Sequence, residues 1–170
     1  PSKNQVLVDI HAAGVNFPDT LIIKDMYQFK PALPFTPGNE VAGIVSAVGE
    51  EVTNYKVGDE VIAMPPFGGY AEQIIVTPGQ ASKKPTNMDF ATAACFSTTY
   101  GTSHYGLKDK AKLKEGETVL ILGESGGVGI SAIEIAKAMG AKVIAAASTD
   151  EKLAVCKEYG ADELINYGNY

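Results

Sequence analysis

The sequence predicts an α/β chain in two parts: a small, strongly bent β domain followed by the first half of a doubly wound parallel sheet. Three observations carry this. Between residues 5 and 80, short strand signals are broken repeatedly by Gly and Pro. From 118 to 167 strand, helix, strand, helix and strand alternate, the order of a parallel sheet with crossover helices. Where the first of those strands meets the first of those helices, Gly123, Gly126, Gly127 and Gly129 cluster in GESGGVG.

In the first part, QVLVDIHA alternates, with Val6, Val8 and Ile10 on one face and Leu7, Asp9 and His11 on the other. FPDTLIIKD is a short helical interruption. VAGIVSAVG, DEVIAM and YAEQIIV repeat the strand signal, separated by the turn-forming clusters TNYKVGD and PPFGG. The β domain is assigned to residues 1–88. Residues 89–107 hold little Gly or Pro and predict one helix, which runs into a Lys-rich stretch, so 89–117 is a helical connector.

Residues 118–170 supply strand TVLIL, helix GVGISAIEIAKAM, strand AKVIAAA, helix TDEKLAVCKEY and strand ELINY. In the first of these helices Val128, Ala132, Ile135 and Met139 recur at helical spacing, which assigns their face to the sheet. Gly140 and Gly160 fall just past the two helices, where a left-handed residue closes the last turn. A nucleotide-binding sheet has about six strands. This chain stops after the third and is expected to be a fragment.

Composition narrows the function. Apolar residues make up 45% of the 170, enough for a buried core. No apolar segment approaches roughly 18 residues, so no membrane partner is expected. Net charge is -6 and every basic residue is lysine. The one basic cluster, Lys108, Lys110, Lys112 and Lys114, is diluted by Asp109, Glu115 and Glu117, which argues against nucleic acid as a partner. Cys95 and Cys156 stand far apart with no second cysteine near either, which rules out a metal knuckle or a redox pair. Both are expected to be buried apolar residues of a cytoplasmic protein.

A strand, a glycine-rich bend and a helix N-terminus gather unpaired N–H groups and the positive end of a helix dipole at one point, where phosphate is attracted. Gly123 suits the tight turn, Gly126 a close approach of pyrophosphate, and Gly129 close packing of helix on strand. The spacing is one residue longer than GxGxxG, but the strand and helix context supports a dinucleotide. The second strand ends in Ser148 and Thr149 rather than an acid, with Lys152 one turn on. This favours the 2′-phosphate of NADP(H), although Asp150 leaves NAD open and Ser148 with Glu151 also has capping-box spacing.

Taken together, GVNFPDT, PFTPGNEVAGIVSAVG, YKVGDEV, GGYAE and LGESGGVG resemble the medium-chain dehydrogenase/reductase superfamily. More narrowly, they resemble its zinc-independent NADPH:quinone oxidoreductases, the zeta-crystallin-like branch. The resemblance runs over nearly the whole chain. It implies a GroES-like β domain followed by the first half of a Rossmann sheet. In the zinc alcohol dehydrogenases of the superfamily, a cysteine matches Asn16 and a histidine matches Asn39, just before Glu40. Ala94 or Cys95 stands where the third ligand would be. Catalytic zinc takes three protein ligands of N or S type, so no metal is predicted.

The resemblance further implies hydride transfer from NADPH to a quinone or an α,β-unsaturated carbonyl compound. By it, Asn16, Tyr27 and Thr102 line the space beside the nicotinamide. Asn16 and Tyr27 hydrogen-bond the acceptor oxygen, and Thr102 meets the carboxamide end. Gly123, Ser125, Gly126, Gly127, Val128 and Gly129 hold the diphosphate, while Ser148, Lys152 and Tyr167 surround the adenosine 2′-phosphate. A homodimer is expected. A second reading keeps the fold and the NADP(H) pocket but makes the protein a non-catalytic sensor or scaffold.

Overall fold

The computed structural model describes residues 1–123 and 126–169. The chain divides into two units, Pro1–Ser97 and Thr98–Tyr170. The first is built on β1 (Val6–Ala13), β2 (Val41–Val48), β3 (Glu60–Ala63), β4 (Gln73–Val76) and β5 (Ala81–Lys83), with helix α1 (Phe17–Ile22) between β1 and β2. These strands form one sheet in the order β4-β1-β2-β3-β5, and every neighbouring pair is antiparallel.

The alternation read in β1 is realised. Val6 and Val8 are fully buried and Ile10 packs on the same cluster, with Val41, Val45, Val61 and Val76. Two register shifts in the β1–β2 pairing, after Leu7 and after Ile10, bend the strand as bulges do. Strand β5 is too short to have given a sequence signal.

The single helix expected over 89–107 is broken. Helix α2 (Phe90–Ala93) starts at the Asp89 cap, whose side chain accepts from the Thr92 N–H, and packs Ala93 and Ala94 against Ala42 and Ile62. Helix α3 (Ser97–His104) follows a turn and passes into a π-helical turn over Tyr105–Lys110, closed by the Ala111 N–H to the Gly106 carbonyl. Cys95 and Phe96, which form the turn, are weak helix formers, and this accounts for the interruption. Cys95 lies in that turn and is exposed, contrary to expectation, whereas Cys156 is buried.

The second unit contains β6 (Thr118–Leu122), α4 (Gly127–Ala138), β7 (Lys142–Ala147), α5 (Asp150–Glu158) and β8 (Glu163–Asn166). The three strands pair in parallel in that order. Ile133 and Ala136 of α4 pack with Ile121, Val143 and Ala145 of the sheet. Of the face assigned from Val128, Ala132, Ile135 and Met139, Ala132 packs against this cluster, but the face as a whole is displaced. The stripe that lies inward is Gly129, Ile133 and Ala136, and Val128 is exposed. Small residues let the helix approach the strands closely, and their low apolar weight hides them from a periodicity reading. Gly140 and Gly160 have φ of +78° and +103°, the left-handed closures expected. Strand β8 ends at Asn166, one residue short of expectation, and Tyr167 opens a 3-10 turn, Tyr167–Asn169. Among the described residues no helix is long and apolar enough to cross a membrane.

Candidate functional site

The glycine bend of the second unit joins β6 to α4. Gly123 has φ +70°, a conformation L side chains rarely adopt. Gly126 caps α4 with φ -86° and ψ 165°, extended backbone open to any residue. Among the described residues, a Cβ added there would have only the Gly123 carbonyl oxygen near it, at 3.8 Å. Neither backbone strain nor packing against the described residues demands glycine at 126. Its effect is to leave the backbone bare on the side where the first N–H groups of α4 lack helical partners. Gly129 is buried in the first turn, as expected of a close-packing position. Ser125 lies outside the described residues.

Two buried serines fix that turn. Ser103 Oγ lies 2.7 Å from the Val128 carbonyl oxygen and 2.9 Å from Ser131 Oγ. Ser131 Oγ lies 2.9 Å from the same carbonyl and 3.1 Å from that of Thr99. Ser103 and Thr99 belong to α3, which also bears the exposed Thr102. Tyr100 of α3 donates to the Glu134 carboxylate of α4. That bond, then burial, pushes the phenol up to about 12.

At the carboxyl ends of β7 and β8 a second polar group is assembled. Thr149, not Ser148, caps α5: its hydroxyl accepts from the Lys152 N–H, so the Ser148–Glu151 capping box does not form. The Ser148 hydroxyl instead accepts from Lys152 Nζ at 3.2 Å. Asn166 Nδ2 donates to Asp150 Oδ1 at 2.6 Å, and Asn166 Oδ1 accepts from the Gly168 N–H at 3.0 Å. Tyr167 is about half exposed in the turn whose Gly168 backs onto the Ser148 carbonyl, where a side chain would collide. Ser148 and Lys152 are thus in contact, and the Tyr167 turn is packed against Ser148.

The first unit holds the remaining candidates. Asn16 caps α1, and its N–H donates to Asp19 Oδ2 at 2.8 Å. Tyr70 OH donates to the same oxygen at 2.9 Å. Burial first, then this bond, pushes the Tyr70 phenol up to about 12. The Asn16 side-chain amide donates to Glu40 Oε2 at 3.0 Å and reaches Asn39 Oδ1 at 3.4 Å. Glu40 is fully buried and Asp19 nearly so. A Cβ on Gly14 would strike the Ala94 carbonyl and come within 3.4 Å of Glu40, so positions 14, 16, 39, 40 and 94 converge. Tyr27 sits half-buried in the bend after α1.

Sequence reasoning missed Asp19, Glu40 and Tyr70 as supports of Asn16. The spacing from Asn16 to Asp19 is a capping signature that could have found the first. Nothing local marks the other two, because their partners lie far along the chain.

The alcohol dehydrogenase GroES-like domain family matches residues 2–86, and the zinc-binding dehydrogenase family matches residues 127–170. The quinone oxidoreductase of Sus scrofa is 44% identical over 168 residues, which is 98% of this chain and 51% of that protein. Among solved structures, the Escherichia coli quinone oxidoreductase complexed with NADPH has a TM-score of 0.92 at 35% identity, covering 100% of this chain and 52% of that one. The CurK enoyl reductase has a TM-score of 0.89 at 35% identity, covering 98% and 52%. The chain spans about half the length of the relatives it matches. With half of its residues inside the first of these domains, the chain belongs to the alcohol dehydrogenase GroES-like domain family, within the medium-chain dehydrogenases and reductases whose quinone oxidoreductases it resembles along almost its whole length.

Proposed function

We propose that the protein containing this chain is an NADPH-dependent oxidoreductase that passes a hydride to a quinone or an α,β-unsaturated carbonyl compound without a metal. The observation that carries the reading is Gly126, a glycine that neither strain nor packing against the described residues requires, at the N-terminus of a helix following a parallel strand. A bare backbone there fits a diphosphate, which needs close approach to N–H groups and gains from the helix dipole.

In this reading Gly123, Ser125, Gly126, Gly127, Val128 and Gly129 hold the diphosphate. Lys152 brings charge to the adenosine 2′-phosphate, with Ser148 and Tyr167 beside it; the Lys152–Ser148 contact supports the pairing. Bound NADPH supplies the hydride. Asn16 and Tyr27 donate hydrogen bonds to the acceptor oxygen as negative charge grows on it, the preorganised stabilisation that acyl-transfer enzymes provide with an oxyanion hole. Asn16 is suited to this because carboxylates hold its backbone N–H and one Nδ2 hydrogen, which orients the amide, while the second Nδ2 hydrogen would exchange its long 3.4 Å contact with Asn39 Oδ1 for the acceptor. Thr102 orients the carboxamide.

The chemistry of the donor set supports metal-free transfer. Positions 16 and 39 carry neutral amides within reach of each other, and amides are poor substitutes for the thiolate and imidazole that zinc prefers. The names of the quinone oxidoreductase relatives favour a quinone acceptor. The likeness to an enoyl reductase keeps the unsaturated carbonyl compounds beside it.

The test is NADPH oxidation by the full-length protein against a panel of quinones and enones. Turnover with NADPH is expected. Silence across the panel with NADPH bound would favour the sensor or scaffold reading, and failure to bind NADPH would overturn both.

A further inference from the structure

We propose that Asn166 is a specificity-determining residue: it tethers the Asp150 carboxylate toward the end of β8 and so keeps the adenosine pocket selective for NADP(H) over NAD(H). The inference rests on the dinucleotide reading given above and concerns the 2′ position alone.

Acids at the tip of the second parallel strand select NAD by accepting from the ribose 2′-hydroxyl and repelling a 2′-phosphate. Asp150 is the first acid beyond β7, two residues past Ser148 and two before Lys152. It therefore has the chemistry to oppose the very phosphate that Ser148 and Lys152 suit. Its Oδ1 is engaged instead by Asn166 Nδ2 at 2.6 Å.

The orientation of the Asn166 amide is not arbitrary. A carboxylate only accepts and a backbone N–H only donates. The nitrogen must therefore face Asp150 and the oxygen must face the Gly168 N–H, 3.0 Å away. Flipping the amide would break both bonds. Gly168 is itself locked, since any side chain there would collide with the Ser148 carbonyl. The end of β8, the turn after it and the tip of β7 thus form one closed set. Within it, Asp150 is drawn toward Asn166, while Lys152 is left to bond Ser148.

Releasing Asp150 frees a negative charge two residues from each member of that pair. It can then compete for Lys152, repel a 2′-phosphate and accept from a 2′-hydroxyl. Charge-assisted hydrogen bonds of this kind shift equilibria by roughly five- to tenfold at partly exposed positions.

The experiment measures NADPH and NADH dissociation constants for the full-length protein and for Asn166→Ala, Asn166→Asp and Asn166→Ala/Asp150→Asn, with thermal unfolding as a check on folding. The wild type is expected to prefer NADPH. Asn166→Ala is expected to lower the NADPH:NADH preference by about fivefold or more, through weaker NADPH and tighter NADH. Asn166→Asp, nearly isosteric, loses the donor and repels Asp150 but adds a carboxylate of its own, so an unmoved ratio in it counts against the proposal while a fall supports it only together with recovery in the double variant. The double variant has no charge left to release and is expected to recover the wild-type preference. A wild type that prefers NADPH, with the ratio unmoved in both Asn166 variants, overturns the role of Asn166 and leaves the proposed function standing. So does a ratio that falls but is not recovered in the double variant, which would indicate general loosening of the turn. A wild type that binds neither dinucleotide overturns the proposed function itself.

Discussion

Gly123 and Gly126 stand three positions apart in one motif and are held in place by different forces, and substitution separates them. Gly123 needs φ +70°, where an L side chain costs about 1–2 kcal/mol. Gly123→Ala is expected to lower the unfolding free energy by about 1 kcal/mol, read from denaturant titration. Gly126→Ala adds a methyl to open space in an ordinary conformation, so stability should stay within about 0.5 kcal/mol. NADPH affinity should nevertheless fall by about tenfold or more, because the new Cβ stands between the diphosphate and the N–H groups. A Gly126→Ala protein with unchanged NADPH affinity would remove the observation on which the proposed function rests. Tyr70 gives a residue-level pH signature. Its folded pKa of about 12 lies above the ordinary 10.0, so the unfolded chain gives up the proton first as pH rises. The stability contributed by the Tyr70–Asp19 bond is therefore intact below pH 10 and is lost on the way to 12. In an ultraviolet titration Tyr70 should ionise with the late class, together with Tyr100, whose bond to Glu134 acts in the same direction. Tyr70→Phe should remove one equivalent from that late class and leave the early class unchanged.

At the scale of elements, α4 is anchored by two different surfaces. Ile133 and Ala136 pack on the strands, while Ser131 meets Ser103 of α3 out of solvent. Either hydroxyl left alone keeps the Val128 carbonyl within reach, so each single substitution loses the bond shared between the two serines, and the double variant loses that bond only once. Ser103→Ala and Ser131→Ala should therefore each destabilise by about 1–2 kcal/mol, and the double variant by clearly less than their sum. Denaturant unfolding of the four proteins in the cycle measures this, and strict additivity would show that the hydroxyl pair contributes nothing of its own. The Ser103–Ser131 contact was not legible in the sequence, because the two serines stand 28 positions apart and the local bond from Ser131 to the Val128 carbonyl says nothing about α3. The strands were legible where one face is uniformly apolar, as in Val6, Val8 and Ile10. The inward face of α4 was not, because Ile133 shares it with Gly129 and Ala136, which carry little apolar weight, while Val128, Ile130 and Ile135 spread apolar residues over other faces. The break in 89–107 has a different cause: absence of Gly and Pro permits a helix without requiring one, and Cys95 and Phe96, in the turn between α2 and α3, form helix weakly. The cap of α5 was misplaced by one residue, since Ser148 and Thr149 are chemically equivalent as caps and only the backbone chooses between them.

Over the whole molecule, the two units have separate cores and separate chemistry. The first carries buried carboxylates and amides around Asn16, and the second carries bare backbone at a helix start and a lysine–serine pair. This division bears on the metal question. A zinc centre would have to be built in the first unit at positions 16, 39 and 94 or 95. There, Asn16 and Asn39 face each other through their amides, Ala94 offers only its backbone, and Cys95 lies exposed in the turn beyond it. Asn16 is moreover already committed, its N–H to Asp19 and its side chain to Glu40. Reordering that set around a cation would break bonds to two buried carboxylates, each costing about 1–3 kcal/mol or more if left unsatisfied. The full-length protein dialysed against a strong chelator should therefore keep its NADPH-dependent turnover, with kcat and KM unchanged within error. Added zinc should not raise it. Loss of turnover on chelation, restored by zinc and not by other cations, would show that a metal is held by residues other than these, and the metal-free part of the proposed function would fall while its cofactor assignment remained.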